Sequence, residues 1–175
     1  MIKRPMLPLR LDHMAIHVAS RDAAEVVARE LLGLHVLEEL EIPSDVGAGF
    51  LRVMKHPDDP FYVVLCEGAT ASHPIAQSIV ERGPGAHHLA HGVADLDAAL
   101  ASARAEGATP VGEVAEVDAL RQIFVKVAAD GLLHEIIERR GDEVFVPKNT
   151  ANLIKAGALA GADDELDVDA GRQRR

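Results

Sequence analysis

Apolar and polar positions alternate with a period of two along residues 9–18. Leu11, His13, Ala15 and His17 share one face of that predicted strand, and Met14, Ile16 and Val18 share the other. The period then lengthens. Ser20 suits an N-cap, Asp22 suits the positive end of a helix, and a helix running to about Leu32 is expected to bury Val26, Val27 and Leu31 before Gly33 stops it. Three strand-like runs follow, at Leu34 to Ile42, Gly49 to Lys55 and Phe61 to Glu67. The turn His56-Pro57-Asp58-Asp59-Pro60 parts the last two, because its prolines and aspartates do not continue a ladder. The order is β-α-β-β-β.

A linker helix over Pro74 to Glu81, closed by Gly83-Pro84-Gly85, leads to a second round of the same order. Ala86 to Val93 reads as a strand, Asp95 caps a helix from Leu96 to about Glu106, and Gly107 ends it. Pro110 to Val117 and Leu120 to Val127 are strand-like, and Asp130-Gly131 signals a hairpin into Leu132 to Arg139. The two rounds align residue by residue at a shift of 75. His13/His88, Ala15/Ala90, Val18/Val93, Asp22/Asp97, Ala28/Ala103 and Arg29/Arg104 are identical without a gap. Alanine is common here, so the His, Asp and Arg matches carry the weight. A duplicated module is the reading, with His13 and His88 as equivalent positions facing each other across a pseudo-two-fold axis. Beyond Gly141 the repeat has no counterpart. Asn152 to Leu159 has the pattern of a short amphipathic helix, and residues 163–175 that of a flexible charged tail.

Composition narrows the class. A chain of 175 residues that is 48% apolar buries one sizeable core. We expect a single domain over residues 1–162, with modules at about 9–68 and 85–140 and a C-terminal extension. A net charge of −10, with 28 acids against 18 bases, argues against nucleic acid or an anionic membrane as partner. Cys66 is the single cysteine, which excludes an internal disulfide and fits a reducing cytoplasmic location. No run resembles a signal peptide or a membrane span.

Nine histidines are many for this length, and four lie in the two matched strands. One histidine on a half-apolar strand is ordinarily a core or surface residue. Two at the same register of a repeat point instead to a shared metal. A third ligand is then needed, and Glu135 in Leu133-His134-Glu135-Ile136-Ile137 is the candidate, since alternation sets it between Leu133 and Ile137. A carboxylate in such a setting is costly without a counter-charge. Alternation also permits the reverse, with His134 inward and Glu135 in solvent. Two histidines and one carboxylate form the facial set of non-haem Fe(II) oxygenases, which leaves positions open for a chelating substrate and dioxygen.

These segments resemble the vicinal oxygen chelate superfamily over roughly residues 9 to 150. Leu11-Asp12-His13 is similar to its first-strand ligand motif, Ala86-His87-His88-Leu89-Ala90 to its fifth-strand motif, and Leu133-His134-Glu135-Ile136-Ile137 to its eighth-strand motif. His88 matches the ligand better than His87. The resemblance implies an α+β fold in which two βαβββ modules form a half-open barrel around a divalent metal held by His13, His88 and Glu135.

Two branches of the superfamily compete. Ser72-His73-Pro74-Ile75-Ala76 through His88 resembles methylmalonyl-CoA epimerase. That family has a fourth ligand, Gln or Glu, where this chain has about Val64, and a Glu base where it has Pro43-Ser44-Asp45. Leu120-Arg121-Gln122-Ile123-Phe124-Val125-Lys126 and Val144-Phe145-Val146-Pro147-Lys148-Asn149 resemble the catalytic half of hydroxyphenylpyruvate dioxygenase and its relative hydroxymandelate synthase. Val144 and Val146 stand in place of that family's glycines. This second resemblance implies Gln122 as a catalytic and substrate-positioning residue. Phe124, Phe145 and Asn149 would contact the substrate.

The expected protein is therefore a metal-dependent, Fe(II) dioxygenase of an α-keto acid or similar bidentate molecule, with Co, Mn or Zn as alternative metals. The partners expected are the small-molecule substrate, dioxygen and a second copy in a homodimer. One alternative is a metal-dependent epimerase or isomerase, with Asp45, Glu67, His17 or His91 as bases. The other is a metal-free binding or resistance protein. With one Tyr, four Phe and no Trp, few aromatic rings are available for stacking, which points to a small or aliphatic substrate.

Overall fold

The computed structural model describes residues 10–117, 120–128 and 132–141. The first module comprises β1 (Arg10–His17), α1 (Arg21–Leu32), β2 (His35–Ile42), β3 (Gly49–Lys55) and β4 (Tyr62–Gly68). Helix α2 (Pro74–Arg82) links it to β5 (Gly85–Val93), α3 (Leu96–Ala105), β6 (Thr109–Val117), β7 (Leu120–Lys126) and β8 (Leu133–Arg139). The element order is that predicted from the periodicity, with ends shifted by a residue or two.

The caps explain the helix limits. Ser20 accepts the backbone N–H of Ala23 at 3.3 Å, and Gly33 closes α1 in the left-handed conformation at φ +64°, where a side chain would be strained. Asp95 accepts the Ala98 N–H at 3.0 Å at the matched start of α3. Glu67 and Glu138, each on the last strand of its module, accept the backbone N–H of Arg21 and Leu96 respectively, 75 residues apart. The ion pairs are duplicated in kind. Arg52 joins Asp22 of α1 to Glu39 of β2, and Arg121 joins Asp97 of α3 to Glu116 of β6.

The eight strands form one open sheet in the order β2-β3-β4-β1-β5-β8-β7-β6. Each module contributes a half, and the halves meet where β1 pairs antiparallel with β5. In that ladder His13 faces Ala90, Ala15 faces His88, and Met14 faces Leu89, its own counterpart at the shift of 75. A two-fold axis therefore passes through the Met14–Leu89 pair and sets His13 and His88 symmetrically about it.

Helices α1 and α3 pack on one side of the sheet. Ala28 of α1 lies with Met54, Val63 and Leu65, and Leu96, Ala99 and Leu100 of α3 lie with Ile123, Val125 and Ile136. The opposite side of the first module buries Ala15, Val53 and Val64 under Ile75 of α2. One expectation fails here. Val26, Val27 and Leu31 are not core residues but are 61%, 56% and 77% exposed. The sheet instead receives the small residues Ala24 and Ala28, which allow a close helix approach and leave the bulkier flank of α1 outward.

Candidate metal centre

Three strands bring the predicted ligands together. His13 comes from β1, His88 from β5 and Glu135 from β8. His13 Nε2 and His88 Nε2 are 3.3 Å apart, and Glu135 Oε2 lies 3.3 Å from the first and 3.1 Å from the second. Among the described residues this is the one group of three or more His, Cys, Asp or Glu donors that could hold a metal ion. Donors about 2.0–2.2 Å from a common ion are separated by such edges.

The orientation of Glu135 is settled by its neighbours. Ile136 enters the core beneath α3, so Glu135 turns to the opposite side, where it is 1% exposed. His134 is on the α3 side and hydrogen-bonds His91 at 2.9 Å. A fully buried carboxylate is costly, and here one of its oxygens, Oε1, has no hydrogen-bond partner among the described residues. A divalent cation among Oε2 and the two imidazole nitrogens would balance the buried charge, so the donor set fits a metal.

The electrostatics point the same way. Burial by itself would raise the Glu135 pKa, but the charge and hydrogen bonds of His13 and His88 hold it down, to about 2. Burial would lower that of His13, but Glu135 and Asp12 outweigh it and the imidazole is held above its ordinary value. For His88 burial wins, aided by the charge of His13 and only partly opposed by Glu135, and its pKa falls. The triad is a carboxylate held ionised between two imidazoles.

Around it lie Asp12 and His87, to which the sequence assigned no role, and His17, one of the candidate bases. Asp12 is buried beside His13, with Oδ1 3.0 Å from its Nδ1, and is gripped by Arg139 at 2.7 and 3.1 Å. Burial would raise the Asp12 pKa, but His13 and Arg139 hold it well below the usual carboxylate range. His87 Nδ1 is 2.9 Å from His88 Nδ1, and its ring stacks on His17 with centroids 4.1 Å apart. His17 in turn bonds Ser78 of α2 at 2.7 Å.

Of the predicted substrate residues, Gln122 and Phe124 are buried on β7. Phe124 pairs in register with Glu135, Gln122 pairs with Ile137, and the Phe124 ring lies 4.9 Å from that of His88. Phe145 and Asn149, like the helix expected at Asn152 to Leu159 and the tail at 163–175, lie outside the described residues. Val64 is buried in the core of the first module. Of the four residues considered as bases, His17 stacks on His87 beside the centre and the other three are placed elsewhere. Asp45 is exposed, Glu67 holds the start of α1, His91 pairs with His134 on the α3 side, and His17 is bonded to Ser78.

Two βαβββ halves around a His, His, Glu centre define a vicinal oxygen chelate fold. Residues 12–125 match the family described as the glyoxalase/bleomycin resistance protein/dioxygenase superfamily, and the chain belongs to it. Among solved structures it is similar to methylmalonyl-CoA epimerase from Mycobacterium tuberculosis, with 30% identity, a TM-score of 0.65, and coverage of 81% of this chain and 94% of that one. A variant of 4-hydroxymandelate synthase from Streptomyces coelicolor superposes with a TM-score of 0.74 at 18% identity, covering 87% of this chain and 54% of that one. A hypothetical protein from Bacillus halodurans aligns with a TM-score of 0.66 at 24% identity, covering 78% of this chain and 98% of that one. No curated protein matches the sequence. None of the helices among the described residues is long and apolar enough to cross a membrane.

Proposed function

We propose that the protein is a dioxygenase that uses a divalent metal, Fe(II) in our reading, on an α-keto acid or a similar bidentate small molecule. The observation that carries this is the asymmetry of the centre. The repeat supplies two equivalent histidines but one carboxylate, because the place matching Glu135 in the first module is filled by Val64. Three protein donors on one side leave the other side of an ion free. His13, His88 and Glu135 would hold the ion, and Fe(II) bound there would supply Lewis-acid and redox chemistry to a chelating substrate and dioxygen.

The remaining work falls to the chain. Phe124 walls the centre beside His88 and excludes water from that flank. Gln122, buried on the same strand face, offers an amide to a polar group of the substrate. Phe145 and Asn149 complete our proposed substrate contacts, and a homodimer in the cytoplasm is the assembly and location we propose. The test is reconstitution with Fe(II) and measurement of oxygen uptake with a panel of α-keto acids. Uptake that depends on both metal and keto acid supports the proposal, and none with any member of the panel overturns it.

A second reading is favoured by the 30% identity to methylmalonyl-CoA epimerase. In it the metal would act as a Lewis acid in proton transfer beside a carbonyl. Deuterium incorporation from solvent without oxygen consumption is its signature. The placement of Asp45 in solvent, Glu67 at the start of α1 and His91 on the α3 side speaks against it. An epimerase needs a base on each face of the reacting carbon, and of the four only His17 stacks beside the centre.

A further inference from the structure

The ladder between β1 and β5 is interrupted twice, and the interruptions are related by the same two-fold axis. Leu11 pairs with His91 and His13 with Ala90, so Asp12 is an extra residue on β1. Ala15 pairs with His88 and Ile16 with Ala86, so His87 is an extra residue on β5. Asp12 and His87 are counterparts at the shift of 75. A bulge cancels the strict alternation of a strand and lets two successive side chains turn to one side. Each bulge residue uses that freedom in the same way, bonding Nδ1 of the histidine that follows it. Asp12 Oδ1 lies 3.0 Å from His13 Nδ1, and His87 Nδ1 lies 2.9 Å from His88 Nδ1.

We propose that Asp12 and His87 are a matched pair of positioning residues that aim Nε2 of His13 and His88 at the metal, one through a charged and one through a neutral hydrogen bond. The proposal rests on the reading of His13, His88 and Glu135 as metal ligands. A metal on Nε2 obliges Nδ1 to carry the proton. Asp12 accepts that proton's hydrogen bond as a carboxylate, and His87 accepts it as an imidazole. A charge-assisted bond is roughly twice as strong as a neutral one, and it also makes the imidazole a better donor to the metal. His13 is thus the anchoring ligand and His88 the weaker one.

The anchor also crosses the repeat. Arg139, two places beyond Ile137 on β8, fixes both carboxylate oxygens of Asp12, at 2.7 and 3.1 Å, and Arg10 approaches at 3.5 Å. The strand that supplies Glu135 therefore also orients, through Asp12, the histidine of the other module.

Affinity for Co(II) and Zn(II), measured by chelator competition and by the visible spectrum of the Co(II) form, tests this without a substrate. Asp12→Asn should weaken binding about ten- to a hundredfold, the range seen when such outer groups are removed. His87→Asn should weaken it less than about tenfold. His87→Asp, which gives His88 the carboxylate that His13 already has, should tighten binding severalfold, a gain that misfolding cannot produce. An unchanged affinity in Asp12→Asn overturns the proposal. If Asp12→Asn fails to fold, His87→Asp decides, a gain supporting the proposal and its absence overturning it. Failure of the wild-type chain to bind either metal is a distinct result, and overturns the metal reading itself.

Discussion

Val64 holds in the first module the place that Glu135 holds in the second. Ala15 pairs with Val64 across β1 and β4 as Ala90 pairs with Glu135 across β5 and β8, and Ala15 and Ala90 are equivalent in the repeat. One buried position of a symmetric fold is thus a candidate ligand in one copy and core in the other. Its consequence is testable. In Val64→Gln the amide oxygen should reach the ion from the first module, raising metal affinity by about tenfold and lowering oxygen uptake by at least that factor. Metal competition and an oxygen electrode check both. A variant that binds metal no better and keeps its oxygen uptake would show that Val64 is not beside the open side of the centre.

Much of this was legible in the sequence, for a physical reason. Strand and helix periods are properties of the backbone, so the duplicated pattern marked the elements and its register matched His13 with His88. Alternation left the side of Glu135 open, and the resemblance to the superfamily implied it as the third ligand. Asp12 and His87 were hidden because alternation assigns each to the side opposite its neighbouring histidine, and a bulge is a property of the paired ladder rather than of one strand. Arg139 was hidden because its partner lies 127 residues away. The outer flank of α1 was misread, since its bulky residues carry the apolar period while the sheet accepts only Ala24 and Ala28 closely.

The last point makes a prediction that sequence and structure answer oppositely. Leu31 is 77% exposed, so Leu31→Lys should change stability by no more than about 0.5 kcal/mol, against the roughly 2–5 kcal/mol lost when a core leucine is truncated. Urea unfolding of the monomeric fraction measures it, and a loss of several kcal/mol would return α1 to the sequence-based placement.

Acid should destabilise the fold through His17. Burial, then the charges of His88, Arg82 and His73, push its pKa down to about 3, whereas an unfolded histidine titrates near 6.5. The folded value is the lower, so the unfolded chain takes up the proton first. The contribution is fully present above about pH 6.5 and is lost as pH falls towards 3, at about 1.4 kcal/mol per pH unit. His17→Gln removes the titration. Its urea midpoint should fall less steeply than wild type between pH 6 and pH 4, in metal-free protein so that ligand protonation does not intrude. Parallel curves would mean that His17 is protonated in the fold.

In the proposed function Gln122 handles the substrate and not the metal, and the two can be measured apart. It is buried on β7, two residues from Phe124 and in register with Ile137, and Glu135, the candidate carboxylate ligand, lies two residues before Ile137 on β8. The amide belongs to none of the three hydrogen bonds and ion pairs that join His13, His88 and Glu135. Gln122→Leu keeps the side-chain volume and removes the polar group. Metal affinity should stay within about twofold, while kcat/KM for an accepted keto acid should fall by about tenfold or more, the 1.4 kcal/mol or more of one lost polar contact. Both are measured on the same preparation. A parallel loss of metal would make Gln122 part of the support of the centre, and an unchanged kcat/KM would move the substrate away from β7.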